Sequence, residues 1–586
     1  MTRLWHDPYN ELDRFPQGAV PVGSFVSLRL RVYGECERAY VRMWKNNAEE
    51  LYAMRRVSNG RYEALVPVGK SVGLVWYYFI MDTPRGRVFA GKPEGDVCAE
   101  FGGEPPSFQI TAYDPQFQTP AWMRNSIMLQ IMVDRYRIGG KAVLPHGRGA
   151  YLHSSWDEAP HIRIAPKGGD SEAVDFFGGN LKGIEEKLPF IRDLGIGVIY
   201  LNPIFRARSN HKYDTGDYMQ IDPSFGSEAD FDSFVSAAFD QGIRVVLDGV
   251  FSHTGADSRY FNKFGAYPSV GAYQSKKSEY NSWYRFGKTR DDYDAWWGID
   301  TLPNVNEMDP SYMDYIIRGK DAVIAHYLKR GASGWRLDVA DELPMDFIRA
   351  IRSRVKAESM DNAVIGEVWE DPSNKVAYGK LRSYALGDTL DSTMNYPLRS
   401  AVIDFFSGEI SAYTFAELLN HQLSTLPKPM LYSMMNLLGS HDRPRIINIL
   451  SGNKNLEPER EKRAFIPLSK DEYKRGRAAF IKAWTLVCHL PGMPSMYYGD
   501  EAGLTGMGDP YCRMPYPWGK EDRSLMEEIR TINKTRLKSD ALRRGDTKIA
   551  AKNGDTIEIK RIIKNGLDAF GEKAANEEVV FTMKRE

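Results

Sequence analysis

Gly334-Trp335-Arg336-Leu337-Asp338 is a short, mostly apolar run that ends on a carboxylate, and the chain repeats the device in Val364-Ile365-Gly366-Glu367 and Leu438-Gly439-Ser440-His441-Asp442. An aliphatic or β-branched run stopping at Asp or Glu reads as a buried strand that delivers a charged side chain to its C-terminal rim. Val245-Val246-Leu247-Asp248 precedes these runs and has the same form. Further strand candidates are 127–133, 198–201, 390–394 and 495–498, which makes eight. Amphipathic segments such as 181–194, 228–239, 313–328 and 345–356 lie between them. Near-continuous apolar strands alternating with helices imply a parallel sheet, and eight of them a closed (β/α)8 barrel whose rim carboxylates converge on one pocket.

The pattern changes on either side of this body. From Val20 to about Tyr113 short strands alternate with period two, as in Phe25-Val26-Ser27-Leu28-Arg29-Leu30-Arg31-Val32. Several such strands separated by turn residues predict a β-sandwich over residues 1–120, with a linker near Pro105-Pro106 and Asp114 to Pro120. The barrel is expected over 121–254 and 310–543, interrupted after its third strand by an inserted subdomain at 255–309 rich in Tyr, Trp, Gly and Asp. A small β unit is expected at 544–586. The fold class is therefore α/β, a TIM barrel with an N-terminal sandwich, an insertion and a C-terminal β domain.

Bulk properties narrow the function. Lys+Arg and Asp+Glu both total 77, so no net positive charge favours nucleic acid as a partner. No apolar run approaches the ~18 residues that would cross a membrane. The cysteines (Cys36, Cys98, Cys488, Cys512) are scattered without metal spacing and read as free thiols of a reducing compartment. Met1 to Pro8 contains no apolar stretch of the signal-peptide kind, and the expectation is a cytoplasmic protein.

Two convergent carboxylates of unequal pKa are what acid/base and covalent chemistry on a glycosidic bond requires. Taken singly, each residue has a plainer reading. A strand-end Asp caps a helix, Arg336–Asp338 is a structural ion pair, and His211, His253, Tyr213 and Trp369 pack in a core. The combination is more specific. Asp248-Gly249-Val250-Phe251-Ser252-His253, Gly334 to Ala340, Gly366-Glu367-Val368-Trp369 and Ser440-His441-Asp442 follow one another at barrel spacing. His211-Lys212-Tyr213-Asp214-Thr215-Gly216-Asp217-Tyr218 and Asp509-Pro510-Tyr511-Cys512-Arg513 accompany them. From about Ser126 to Trp518 the chain resembles the α-amylase superfamily, glycoside hydrolase family thirteen. The resemblance implies Asp338 as nucleophile, held ionised by Arg336, and Glu367 as general acid and base in a less compensated environment. It also implies Asp442 as a sugar-hydroxyl ligand favouring the distorted ring, His253 and His441 as hydrogen-bond donors to the same sugar, and His211 as a further substrate-binding residue. Tyr213 would stack beneath that sugar, with Asp509 and Arg513 on its non-reducing side. Retention requires two carboxyls about 5–5.5 Å apart.

The sandwich, Leu302-Pro303-Asn304-Val305-Asn306 and Phe177-Gly178-Gly179-Asn180-Leu181-Lys182-Gly183-Ile184 resemble the neopullulanase, cyclomaltodextrinase and maltogenic amylase group. That implies cleavage of α-1,4 bonds in α-glucan oligosaccharides (maltodextrins, cyclodextrins, pullulan) by a homodimer. Two departures stand out. Asp341-Glu342 replaces the more usual Asn-Glu. The loop Arg137 to Pro145 lacks the carboxylates and amides that hold calcium in the group, Asn180 stands where Asp is common, and Ser252 replaces Asn, so no calcium or other cofactor is expected. The alternatives are a starch-acting α-amylase, an α-1,6-glucosidase, and a glycan-binding protein without activity. The N-terminal domain could also anchor starch through Trp5, Trp44 or Trp76, the last expected in the core.

Overall fold

The computed structural model describes residues 3–84, 86–147, 149–161, 164–165, 169–171, 173–452 and 466–585. At its centre lie the eight expected parallel strands: β1 (Met128–Ile131), β2 (Val198–Leu201), β3 (Arg244–Gly249), β4 (Gly334–Leu337), β5 (Ala363–Gly366), β6 (Ser392–Thr393), β7 (Met435–Leu437) and β8 (Met493–Tyr497). They pair in the order β6-β5-β4-β3-β2-β1-β8-β7. The ring closes through one parallel bridge, Met394 to Met435. Strand residues are buried on both faces because helices cover the outside and side chains fill the inside. The interior layer contains Met128, Val198, Tyr200, Val246, Ile365, Met394 and Leu437. The outer layer joins Leu129, Ile199, Leu247, Trp335 and Val364 to the apolar stripes of the helices.

Those helices follow local rules. Glu228–Asp240 opens on a capping box, in which Ser227 and Asp230 satisfy each other's first-turn amides, and it buries Phe231, Phe234, Val235 and Ala238. Lys470–His489 opens on the same device with Ser469 and Glu472. The third signature run differs from its expected form. Strand β7 ends at Leu437, so Asp442 sits in the turn beyond the rim. Leu438 is still buried, but the backbone already leaves the ladder.

Ahead of the barrel, two sheets enclose a separate apolar cluster that includes Val26, Leu28, Leu30, Val41, Met43, Val66, Phe79 and Ile110. Phe25–Tyr33 shows the period-two burial that its sequence announces. Trp76 departs from expectation. It is half-buried on the outer face, directly across the ladder from Trp44. Residues 255–309 hold two short 3-10 turns and a cluster of aromatic rings, among them Phe261, Tyr280, Trp283 and Tyr284, continuous with the barrel's outer layer. The chain ends in three antiparallel strands, Asp546–Asn553, Thr556–Ile563 and Glu577–Lys584.

Candidate active site

Arg336 organises the centre. Its position in β4 places its side chain in the barrel interior, 1 % exposed. Nη1 donates to Asp248 Oδ1 at 2.7 Å and to Asp338 Oδ1 at 2.8 Å. Nη2 lies 2.8 Å from Glu367 Oε2. Three carboxylates from the ends of β3, β4 and β5 therefore meet one guanidinium, in a buried setting where charge pairing is strong. Burial pushes Asp338 well above the usual carboxylate range, Arg336 opposes this, and Glu367 and Asp248 add to it.

Asp338 and Glu367 are also tied through the backbone. Val339 has φ of 39°, a left-handed conformation that a β-branched residue rarely adopts. Its N–H donates to Glu367 Oε2 at 2.8 Å, and Trp369 Nε1 donates to Oε1 at 3.2 Å. Glu367 thus faces two N–H donors, from Val339 and Trp369, and the Arg336 guanidinium. Trp369 stacks on Tyr396 at 3.9 Å, which fixes the indole beside the carboxylate.

A second group lies across the pocket. His441 Nδ1 accepts from Gln130 Nε2 at 2.9 Å, so the neutral ring carries its proton on Nε2, 3.0 Å from Asp442 Oδ2. Burial and the nearby Arg513 and Arg336 push this histidine well below its ordinary range, which keeps it neutral. Arg513 donates to Asp442 Oδ1 at 3.3 Å and to the His441 carbonyl at 2.9 Å, and pairs with Asp509 at 2.9 Å. Tyr213 joins the two groups. Its ring lies parallel to His441 at 5.1 Å, its hydroxyl donates to Asp248 Oδ2 at 2.8 Å, and it accepts from Asn202 at 3.0 Å. His211 Nδ1 accepts the Tyr213 N–H at 3.1 Å and lies 3.1 Å from Ser209 Oγ. His253 is buried and pushed down to about 4 by that burial, with Ser252 Oγ on Nδ1 and no hydrogen bond on Nε2 among the described residues. A buried ring nitrogen without a partner fits a site that receives a hydroxyl from outside the chain.

The sequence places Asp248 at a strand end and in a signature segment but assigns it no role, and it gives no notice of Gln130, Asn202 or Tyr200, which donates to Asp248 at 2.6 Å. The cue was a polar residue in or just beyond the first two apolar strands: Gln130 in β1, and Tyr200 in and Asn202 just after β2. The departures resolve as contacts. Glu342 accepts from the indoles of Trp296 and Trp297, both at 2.8 Å, and Asp341 accepts from Tyr384 at 2.9 Å. Asn180 accepts from the amides of Gly183 at 2.8 Å and Gly139 at 3.0 Å, and donates to the Gly139 carbonyl at 3.0 Å. It thus binds the 137–145 loop to the next helix through its own amide.

Residues 153–553 match the model of the alpha amylase catalytic domain. The chain is 34 % identical, over 99 % of its length, to an amylopullulanase of Thermoanaerobacterium saccharolyticum, 48 % of which is covered. It is 35 % identical, over 74 % of its length, to a cyclomaltodextrinase of Geobacillus thermopakistaniensis, with 66 % of that protein covered. It spans about half the length of the first of these relatives, or less in two further amylopullulanases. Among solved structures, the cyclic α-maltosyl-(1→6)-maltose hydrolase of Arthrobacter globiformis superposes with a TM-score of 0.63 at 29 % identity, covering 76 % of this chain and 89 % of that one.

Proposed function

The chain belongs to the α-amylase family, and from that premise we propose that it is a retaining hydrolase of α-1,4-glucosidic bonds in short α-glucans. The observation that carries the proposal is the single guanidinium of Arg336 shared by Asp338 and Glu367, which confines two carboxylates to one buried pocket. Asp338 attacks the anomeric carbon as the carboxylate, the form that Arg336 at 2.8 Å favours against the effect of burial, while the glycosidic C–O bond breaks and protonated Glu367 gives its proton to the departing oxygen. The resulting glycosyl ester on Asp338 is then cleaved by water, whose proton passes to Glu367 and whose oxygen joins the anomeric carbon. Free Asp338 is returned. Asp442 and the Nε2–H of His441 face sugar hydroxyls on the non-reducing side, with Arg513 and Asp509 fixing both. Tyr213 presents its ring beneath the bound sugar. His253 Nε2 meets a hydroxyl of the same ring.

The substrate class is maltodextrins, cyclodextrins and pullulan, a range supported by the named activities of the relatives. Glu342 with Trp296 and Trp297 borders the leaving-group side. The working form is a homodimer through the N-terminal domain, and light scattering on a sizing column is expected to give twice the chain mass. The four free thiols support a cytoplasmic setting, and among the described residues no helix is long and apolar enough to cross a membrane.

The test is product analysis of wild type and Glu367→Gln on maltoheptaose, β-cyclodextrin, pullulan and soluble starch. Rapid opening of β-cyclodextrin and short dextrins is expected, with kcat lowered about 10²–10⁴-fold in the variant. Maltotriose as the pullulan product would assign α-1,6 cleavage instead. Starch cut faster than dextrins would assign a general α-amylase.

A further inference from the structure

A polar cluster outside the carboxylate trio has the chemistry of a metal site. Tyr151–Leu152 pairs in parallel with Asp175–Phe176, and this short ladder brings His153 beside Asp175. The His153 side chain is fully buried. Its ring stacks on Phe177 at 4.0 Å, which fixes the plane of the imidazole. Nε2 lies 3.0 Å from Asp175 Oδ2, and Nδ1 lies 2.6 Å from Glu158 Oε2. The ring of His161 approaches that of His153 edge-on at 4.8 Å. One ligand atom from each of His153, Glu158 and His161 falls within 4.8 Å of the other two.

Two imidazoles and a carboxylate are the donor set of a borderline transition-metal dication, whereas calcium takes oxygens alone. The surroundings are those of a supported site. A ligating histidine commonly donates its second ring N–H to a carboxylate, which sets the tautomer and the ring orientation. Asp175 fits that position on His153 Nε2 and leaves Nδ1 directed at Glu158. Asp175 is itself held by Asn210 Nδ2 on Oδ1 at 2.9 Å and by Arg135 at 3.6 Å. Glu158 and His161 are the more exposed members, so an ion can enter from solvent and both can adjust as it binds. Binding at Nδ1 replaces the direct His153–Glu158 contact by two bonds to the metal.

We infer that His153, Glu158 and His161 bind one divalent transition-metal ion of the zinc type, with Asp175 orienting His153. The site adjoins the substrate pocket through two connections. Asn210 immediately precedes His211. Arg135, which donates to the Asp175 carbonyl at 3.0 Å, also donates to the Arg513 carbonyl at 3.1 Å. An ion there fastens the loop after β1 to the residues that hold the sugar's non-reducing side.

The test is calorimetric titration of zinc chloride into the chelator-treated full chain, with thermal unfolding measured in parallel. One equivalent is expected to bind and to raise Tm, while calcium at the same concentration does neither. His161→Ala alters an exposed side chain and Glu158→Gln a half-buried one, and each removes a ligand and is expected to weaken zinc by at least about 10-fold. Asp175→Asn is expected to weaken it as well. Cobalt(II) bound in place of zinc would add visible absorption bands that disappear in His161→Ala. Absence of heat and of any Tm change would overturn the proposal. So would tight binding that survives both His161→Ala and Glu158→Gln, which would place the ion elsewhere on the chain.

Discussion

At the scale of single residues, the backbone between Asp338 and Glu367 is held under tension. A β-branched residue in the left-handed region costs of order 1–2 kcal/mol, and Val339 retains that conformation because its N–H is directed at Glu367. Val339→Gly is expected to leave Tm unchanged or higher while lowering kcat about 10-fold, since the amide loses its fixed direction. A variant with full kcat would show that the tension has no part in turnover. Glu501 poses a different problem. It is fully buried within the turn after β8, and burial pushes it up to about 7. The folded chain therefore holds this proton more tightly than the unfolded chain, and the stability the proton confers is lost as pH rises from about 4.5 to 7. Glu501→Gln is expected to gain on wild type across that window, by about 3 kcal/mol at pH 8, read from urea unfolding at several pH values. A difference independent of pH would refute the assignment. The candidate catalytic positions could be read from sequence because strand-end carboxylates stand out against apolar runs. Gln130 could not. Its partner His441 is 311 residues away, and only the closed ring of strands brings them together.

At the scale of elements, the loop after β5 is secured by the N-terminal domain. Gln109 donates to Ser373 Oγ at 3.0 Å and accepts from Asn374 at 2.8 Å, while Asp371 pairs with His421 at 2.7 Å. Gln109→Ala leaves buried polar groups unpaired and is expected to cost about 1–3 kcal/mol in unfolding, with faster amide exchange at 370–376. Unchanged exchange there would mean the loop holds its own shape. The 137–145 loop makes a parallel case. The side chain of Asn180 caps Leu181–Glu186 and bonds the loop backbone at Gly139, so calcium is expected to add no thermal stability to EDTA-treated protein. A Tm rise with calcium alone would contradict this. Strand identities were legible in the sequence because apolar runs are local signals. The end of β7 and the exposure of Trp76 were not, because the first depends on where a ladder partner stops and the second on which face of a sheet is left uncovered.

At the scale of the whole molecule, the head, barrel and tail meet along polar seams whose partners are distant in sequence. Lys92 of the sandwich pairs with Glu417 on the helix Ala412–Thr425, and Arg124 pairs with Glu572 near the chain end. The sequence announces the three bodies through their changing periodicities, but carries no local mark of how they dock.

The barrel itself has one weakly laddered joint. Between β6 and β7 the single bridge is supplemented by side chains: Ser392 Oγ accepts the Met435 amide at 3.1 Å, and Asn395 donates to Asn436 at 2.9 Å. Main-chain pairing elsewhere in the ring is continuous. The wall's shortest main-chain joint therefore runs up to the rim between Tyr396, which stacks on Trp369, and the turn bearing His441 and Asp442. A parting at this joint would separate Glu367 and Trp369 from the turn bearing His441 and Asp442 while leaving the other seven ladders of the barrel intact.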